Sequence, residues 1–236
     1  MKIIHFFLDF DGTISSTDVV DLVLETFADE KWKEVEKEWA SGKIGSRECL
    51  SRQVELIRAS SQDLEKLISR VELDPYFVPF LKKAEELGVL VTIVSDGFDF
   101  FIENVLKKNL EAHSTLLKAL PIFSNKLEKK GDGFKAVFPS EAVCEHGCAN
   151  CKEALIKKLT SQDDHVFFVG DGLSDRYAAA SSHLTFAKGK LLDYCLEKKI
   201  DSIAYKDFQK ITEWLSDNYP ILKKASFFRP QEKENK

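Results

Sequence analysis

Three short runs of the chain are apolar almost without interruption, and each ends on a polar group. Ile3 to Leu8 runs into Asp9, Val89 to Val94 into Ser95, and His165 to Val169 into Gly170 and Asp171. Unbroken apolarity, as opposed to alternation, marks strands covered on both faces, the condition inside a parallel sheet. Amphipathic stretches lie between the runs: Val78 to Leu87, closed by Gly88, then Phe98 to Lys108, Glu153 to Leu159 and Ser174 to Ala180. Strands that alternate with helices predict an α/β fold, a parallel sheet with helices on both faces and right-handed crossovers. Leu184 to Ala187 reads as the last short strand. Ile122 to Leu127 and Phe134 to Phe138, separated by Gly131-Asp132-Gly133, predict a β-hairpin inserted into that alternation.

The stretch from Ser15 to Arg70 breaks the pattern by reading as helical. Asp18 is placed to cap a helix from Val19, and Glu30 to Trp39 interleaves opposite charges on an amphipathic helix. Gly42 and Gly45 interrupt it; Arg47 to Ile57 and Asp63 to Val71 resume it, the latter capped by Ser60, Ser61 or Gln62. Trp32 and Trp39 read as packing within this insert rather than as a substrate cage. Asp74-Pro75-Tyr76 marks its end. The expected organisation is a core of residues 1–14 and 75–225, a helical insert of 15–74 and a disordered tail over 226–236.

Composition serves to exclude. Of 236 residues, 44% are hydrophobic and 31% charged, as in an ordinary globular protein. A net charge of −5 leaves no basic excess for nucleic acid. Phe6-Phe7-Leu8 is far short of a membrane span of ~20 residues. No basic segment followed by a long apolar one opens the chain, so no signal peptide, no membrane partner and a cytoplasmic location are expected. Five cysteines, Cys49, Cys144, Cys148, Cys151 and Cys195, make an odd count that argues against a disulfide framework. Oligomeric state, monomer or homodimer, is left open by the sequence.

In an open parallel sheet, ligands bind beyond the carboxyl ends of the strands. The predicted strands would carry Asp9, Asp11, Ser95, Asp171 and Asp175 to one such edge. Unit charges ~4 Å apart repel by several kcal/mol at an effective dielectric of ~20, so a carboxylate cluster calls for a hard cation. Oxygen ligands in small number suit Mg²⁺, which completes its shell with water and a substrate phosphate. One carboxylate can then act as nucleophile and a second as general acid. Gly12 lets the backbone turn and bring its amide to a phosphate oxygen, and Thr13 can tie down the turn through its hydroxyl. Each residue also has a plainer reading: a strand-end turn for Asp9 and Asp11, a helix cap for Ser95, a surface lysine for Lys152, and turn or helix-start residues for Asp171 and Asp175.

Asp9-Phe10-Asp11-Gly12-Thr13 resembles the first motif of the haloacid dehalogenase superfamily. Ser95 resembles its second, Lys152 its third, and Gly170-Asp171-Gly172-Leu173-Ser174-Asp175 its fourth, all in order. The resemblance implies a Rossmann-like core with a small helical cap inserted after the first strand. It implies an Mg²⁺-dependent phosphoric monoester hydrolase that acts on a small phosphorylated metabolite through an aspartyl-phosphate. In that reading Asp9 is the nucleophile and Asp11 the general acid and base. Ser95 and Lys152 hold the phosphoryl group, with Asp96 and Gly97 beside them. Asp171 binds Mg²⁺ together with the Asp9 carboxylate and Asp11, and Asp175 supports the metal shell.

The helical insert is similar to the cap of the phosphoserine-phosphatase-like branch. Asp9 to Thr13 followed by Asp18, the run Ser95 to Phe101, and the Cys-rich stretch ending Cys151-Lys152 are similar to the methionine-salvage enol-phosphate phosphatases. Asp18 stands where phosphoserine phosphatases usually carry Glu to hold the serine amine. Asp96 stands where the methionine-salvage family often has Gly, and the Cys-rich run is shorter. These departures leave the substrate open. Two other functions stay in play: a phosphotransferase to a small alcohol acceptor, and a catalytically silent metabolite-binding protein. Cys144, His146, Cys148 and Cys151 could form a structural zinc site; the plainer reading is a cysteine-bearing loop packed beside Lys152.

Overall fold

The computed structural model describes residues 2–139 and 144–224. Its strands are β1 (Ile4–Leu8), β2 (Leu90–Phe98), β3 (Ile122–Lys130), β4 (Gly133–Val137), β5 (His165–Gly170), β6 (Leu184–Ala187) and β7 (Ser202–Ala204). The helices are α1 (Val19–Phe27), α2 (Trp32–Ala40), α3 (Ser46–Val54), α4 (Ser61–Ile68), α5 (Phe77–Leu87) and α6 (Asp99–Asn109), then α7 (Ser114–Lys118), α8 (Lys152–Leu159), α9 (Arg176–Ala180), α10 (Gly189–Lys198) and α11 (Phe208–Leu222). Short 3-10 turns lie at Glu111–His113 and Leu173–Asp175. The strands form a mostly parallel seven-stranded sheet in the order β4-β3-β2-β1-β5-β6-β7, with β4 returning antiparallel on β3. The expected α/β sheet and hairpin are both present.

The chain divides into two compact units. The first comprises Met1–Asp9, Asp74–Thr92 and Lys152–Lys236. In it β1 pairs in parallel with β5, β5 with β6, and β6 with β7. Every residue of β1 is buried, which is why its sequence shows no alternation. The core is aromatic: Phe6 meets Phe80, Phe167 and Phe186, while Phe208 closes on Phe77 and Phe80. Helix α5 stops at Gly88, whose φ of 66° is left-handed and favours glycine.

The second unit comprises Phe10–Leu73 and Ile93–Cys151. Four helices, α1 to α4, occupy the stretch that the sequence marks as helical. Asp18 caps α1 by accepting from the Asp21 N–H at 2.9 Å. Ser60 caps α4 in a reciprocal pair with Asp63. Trp32 is buried, and the Trp39 indole N–H donates to the Ser46 hydroxyl at 3.0 Å, so both tryptophans are structural within this unit.

Three expectations are corrected. Leu184–Ala187 is not the last strand, because β7 and then α11 follow α10. The three residues of β7 are too few to show a period. Strand β2 does not end at Val94: it runs on through Ser95, Asp96 and Gly97 to Phe98, with a register shift against β3 between Val94 and Phe98. Such a bulge re-aims side chains, and Ser95 therefore lies in an irregular strand segment. Finally, Phe98 sits at the N-cap of α6, so Ser95 is not a helix cap. The tail expected to be disordered lies outside the described residues. No helix among the described residues is long and apolar enough to cross a membrane.

One buried pair ties pH to the first unit. His5 Nε2 shares a hydrogen bond of 2.8 Å with the Thr92 hydroxyl. Burial drives the His5 imidazole from its ordinary 6.5 down to about 4, against the pull of Asp164. The unfolded chain takes up a proton near pH 6.5 that the folded chain refuses until about pH 4. Stability should therefore fall as pH drops through that window, by roughly 3 kcal/mol from this group. Urea unfolding at pH 7 and pH 4.5 should show His5→Gln losing less stability than wild type on acidification.

Candidate active site

In the first unit the site begins where β1 stops. The Asp9 N–H donates to the Val169 carbonyl at 2.9 Å, which fixes Asp9 beside the end of β5. Gly170 ends β5, and a methyl there would collide with the Asp175 carboxylate and the Phe168 ring. Asp175, at the close of the 3-10 turn, is fully buried. Its Oδ2 accepts the N–H groups of Asp171 and Gly172, each at 3.1 Å, so it braces the turn that carries Asp171.

Lys152 opens α8 and is 3% exposed. Its ammonium donates to Asp9 Oδ1 at 2.6 Å and to Asp175 Oδ1 at 2.5 Å. A surface-lysine reading is thereby ruled out. Asp9, Asp171 and Asp175 each bring a carboxylate oxygen within 4.8 Å of the others. Three carboxylates against one ammonium leave a local excess of two negative charges. Burial, followed by the Asp175 charge, holds the Asp9 carboxyl well above the usual range, and Lys152 opposes the shift. A divalent cation would reverse that balance, and an all-oxygen donor set fits Mg²⁺. Both Asp175 oxygens are already committed to Lys152 and the backbone, so it fits the supporting place.

In the second unit, a turn on one carbonyl shapes the residues after Asp9. The Phe10 carbonyl accepts from the N–H groups of Thr13, Ile14 and Ser15 at 2.9–3.2 Å and from the Ser15 hydroxyl at 3.0 Å. Gly12 takes a left-handed φ of 70° within this turn. Thr13 is buried, but the hydroxyl seen on the Phe10 carbonyl is that of Ser15, which sequence reasoning missed. Asp11 Oδ1 accepts the Val19 N–H at 2.8 Å, at the first residue of α1. Its other oxygen lies against Gly97, where a methyl would collide with Asp11 and crowd the Ser95 hydroxyl. The Gly97 N–H donates to Ser95 Oγ at 2.9 Å. Asp11, Ser95 and Gly97 are thus gathered, and Gly97 is required by their proximity.

Two amides that the sequence does not advertise hold this segment. Asn150 donates from Nδ2 to the carbonyls of Ser95 at 3.0 Å and Phe123 at 2.9 Å, and its own N–H reaches Asp96 Oδ1 at 3.2 Å. Asn125 donates to the Asp96 carbonyl at 2.6 Å. The Asp96 carboxylate therefore serves the loop that carries Asn150. Asp18 is exposed, and its carboxylate caps α1.

The sulfurs of Cys144, Cys148 and Cys151 also lie within 4.8 Å of one another, and none of the three is disulfide-bonded. His146 is exposed and stands outside that group, a departure from the four-ligand set in the sequence.

A family model described as "Putative Phosphatase" matches residues 4–217. The chain is 28% identical over 226 residues to the bifunctional enzyme MtnB/MtnX of Bacillus licheniformis, covering 95% of this chain and 52% of that protein, about half its length. It is 28% identical over 223 residues to 2-hydroxy-3-keto-5-methylthiopentenyl-1-phosphate phosphatase of Bacillus mycoides, covering 93% of this chain and 97% of that one. Among solved structures, a substrate-bound phosphoserine phosphatase complex superposes with a TM-score of 0.68 at 21% identity, over 91% of this chain and 99% of that one. A phospho-aspartyl intermediate analogue of phosphoserine phosphatase gives 0.67 at 22% identity, over 91% and 99%. At such identities the likeness establishes the fold.

The charge imbalance gives opposite expectations for two substitutions. Asp9→Asn removes surplus buried charge and should raise the metal-free melting temperature by a few degrees, while reducing the further rise on adding Mg²⁺. Lys152→Met strands two buried carboxylates and should cost roughly 3–5 kcal/mol. Thermal and urea unfolding with and without Mg²⁺ measure both.

Proposed function

The chain belongs to the putative phosphatase family, and from that premise, together with the resemblance of its four motifs to those of the haloacid dehalogenase superfamily, we propose that it hydrolyses a small phosphate monoester through Asp9 with Mg²⁺. The observation that carries this reading is Lys152, buried and shared between Asp9 and Asp175 beside Asp171. Asp9 and Asp171, with the Asp11 carbonyl, would hold the cation, and Asp175 would support them. Bound Mg²⁺ supplies charge neutralisation for the phosphoryl oxygens.

An Asp9 carboxylate oxygen attacks phosphorus, and the ester P–O bond breaks. The leaving alkoxide takes its proton from the Asp11 carboxyl, giving the free alcohol and an aspartyl-phosphate. Asp11, now ionised, accepts a proton from a water that attacks the same phosphorus. The acyl-phosphate P–O bond breaks, phosphate leaves and Asp9 is restored. Asp11 follows Asp9 by two residues, so chain connectivity alone keeps their Cα atoms within about 7 Å. Lys152 offsets charge on the transferring group and on Asp9. Ser95, held by Gly97 and Asn150, donates its hydroxyl proton to a phosphoryl oxygen, and Gly12 offers its backbone N–H.

The enol phosphate named in the Bacillus mycoides relative is the first substrate to test, since that relative matches along 97% of its length. Phosphoserine is second: Asp18 is shorter than the glutamate of that branch and is engaged in capping α1. The free cysteines suit a cytoplasmic setting, where thiols stay reduced.

Phosphate release should be followed on a panel that contains the enol phosphate, phosphoserine, phosphocholine, phosphoethanolamine, pyridoxal phosphate and sugar phosphates. Turnover should require Mg²⁺ and fall by at least ~10³-fold in Asp9→Asn. Folded wild-type protein inactive on every ester would overturn the hydrolase reading, and rate gains with added alcohols would favour a phosphotransferase.

Gly97→Ala offers a separate check. The added methyl must displace Asp11 or Ser95, and a misplacement of about 1 Å can cost ~10²-fold. The variant should lose kcat to that extent while its urea midpoint stays close to wild type.

A further inference from the structure

Three thiols packed together without a disulfide in one irregular loop are unusual enough to need a reason. Cys144, Cys148 and Cys151 have sulfurs within 4.8 Å of one another, and none is disulfide-bonded. Three sulfurs bound tetrahedrally at the Zn–S distance of about 2.3 Å would lie about 3.8 Å apart. The observed grouping is therefore close to a bound arrangement without a large rearrangement of the loop.

The backbone around the sulfurs is organised as a metal-binding turn would be. The Gly147 N–H donates to the Cys144 carbonyl at 2.9 Å and closes the turn. Gly147 takes a left-handed φ of 64°, which brings Cys148 back toward Cys144. The Cys148 N–H then donates to Cys144 Sγ at 3.3 Å. An N–H aimed at sulfur orients a thiolate ligand and offsets its charge.

The same loop holds three other parts of the second unit. Asn150, between two of the thiols, clamps Ser95, Asp96 and Phe123. The Arg47 N–H, near the start of α3, donates to the Gly147 carbonyl at 3.1 Å, and Gly45 packs so closely on Gly147 that a methyl there would collide. Cys151 is followed directly by Lys152. Residues 144–151 form no helix or strand, so their own backbone ladder does not fix them.

We propose that Cys144, Cys148 and Cys151 form a structural site for one thiophilic divalent cation, Zn²⁺, with solvent in the fourth position, and that this site fixes the loop carrying Asn150. Binding breaks three S–H bonds, forms three metal–sulfur bonds and releases the protons to solvent, with no oxidant or reductant. Soft sulfur ligands select zinc over Mg²⁺, so this centre and the carboxylate cluster take different ions. The inference does not rest on the phosphatase reading, and its test does not use activity.

The experiment is metal analysis of the full chain, purified without chelator in a phosphine reductant. One zinc per chain should remain after desalting. Exchange with Co²⁺ should produce sulfur-to-cobalt charge-transfer absorption. That absorption should disappear in Cys148→Ser and persist in Cys195→Ser, a buried thiol on α10 that is not one of the three clustered cysteines. If Cys148→Ser fails to fold, alkylation of wild type serves instead: zinc should slow modification of Cys144, Cys148 and Cys151 at least tenfold, leaving Cys195 unchanged. Absence of both zinc and the charge-transfer band in folded, reduced protein would overturn the proposal. So would a Cys148–Cys151 disulfide in protein purified without reductant, which would mark the cluster as a redox pair.

Discussion

The ammonium of Lys152, buried between Asp9 and Asp175, is the interaction on which the first unit depends. Its three residues come from the start of α8, the chain just past β1 and the turn after β5. Apolar packing of the phenylalanines supplies most of the driving force, but it is non-directional. Charge pairing is not. A register error in any of the three elements would leave a buried carboxylate or ammonium alone, at several kcal/mol each. The polar triad thus selects one arrangement among those the aromatic core would tolerate. It also leaves a deficit, since one lysine does not neutralise three carboxylates, and a bound cation would offset that deficit.

The second unit solves a different problem, the placement of neutral groups. The Phe10 carbonyl gathers three backbone N–H groups and a hydroxyl, and the Asp11 carboxylate is taken up at the start of α1. Gly97 supplies the space in which Asp11 and Ser95 approach each other. Asn150 and Asn125 satisfy the carbonyls of Ser95 and Asp96, which the irregularity of β2 withdraws from regular pairing. Buried carbonyls in an irregular strand need such partners. The bulge that positions Ser95 and the asparagines that tolerate it are two aspects of one local design.

What was legible in the sequence follows from this division. The gathering of Asp9, Asp171 and Asp175 could be read because β1 and β5 are buried enough to show unbroken apolar runs that end on them, and Lys152 because its place in the chain resembles a family motif. Asn150 and Asn125 could not, because an amide that clamps a carbonyl far along the chain leaves no local period or motif. Strand β7, with three residues, gives no pattern either, and it forms only because β6 offers an edge. The limits of β2 were misread for a related reason: the unbroken apolar run stops at Val94, while pairing of Phe98 with Asn125 on β3 carries the strand on past the polar segment Ser95-Asp96-Gly97. The cysteine spacing named four candidate ligands, whereas the folded turn gathers only the three sulfurs, since His146 faces solvent.

The substrate is least legible for a physical reason that also says where to look. Every phosphate monoester presents the same group to Asp9, Lys152 and a cation, so that constellation discriminates poorly among esters. Selection must come from side chains that meet the leaving alcohol, and these vary on a shared fold. Similarity to phosphoserine phosphatases at 21% identity therefore constrains the scaffold without constraining the alcohol. Phosphoserine brings an ammonium that needs a buried or well-placed carboxylate. Asp18, exposed and already accepting the Asp21 N–H, is poorly suited to that task. An enol phosphate with an apolar tail makes no such demand. That difference favours the uncharged leaving group, on the same grounds by which Asp18 was identified as the cap of α1.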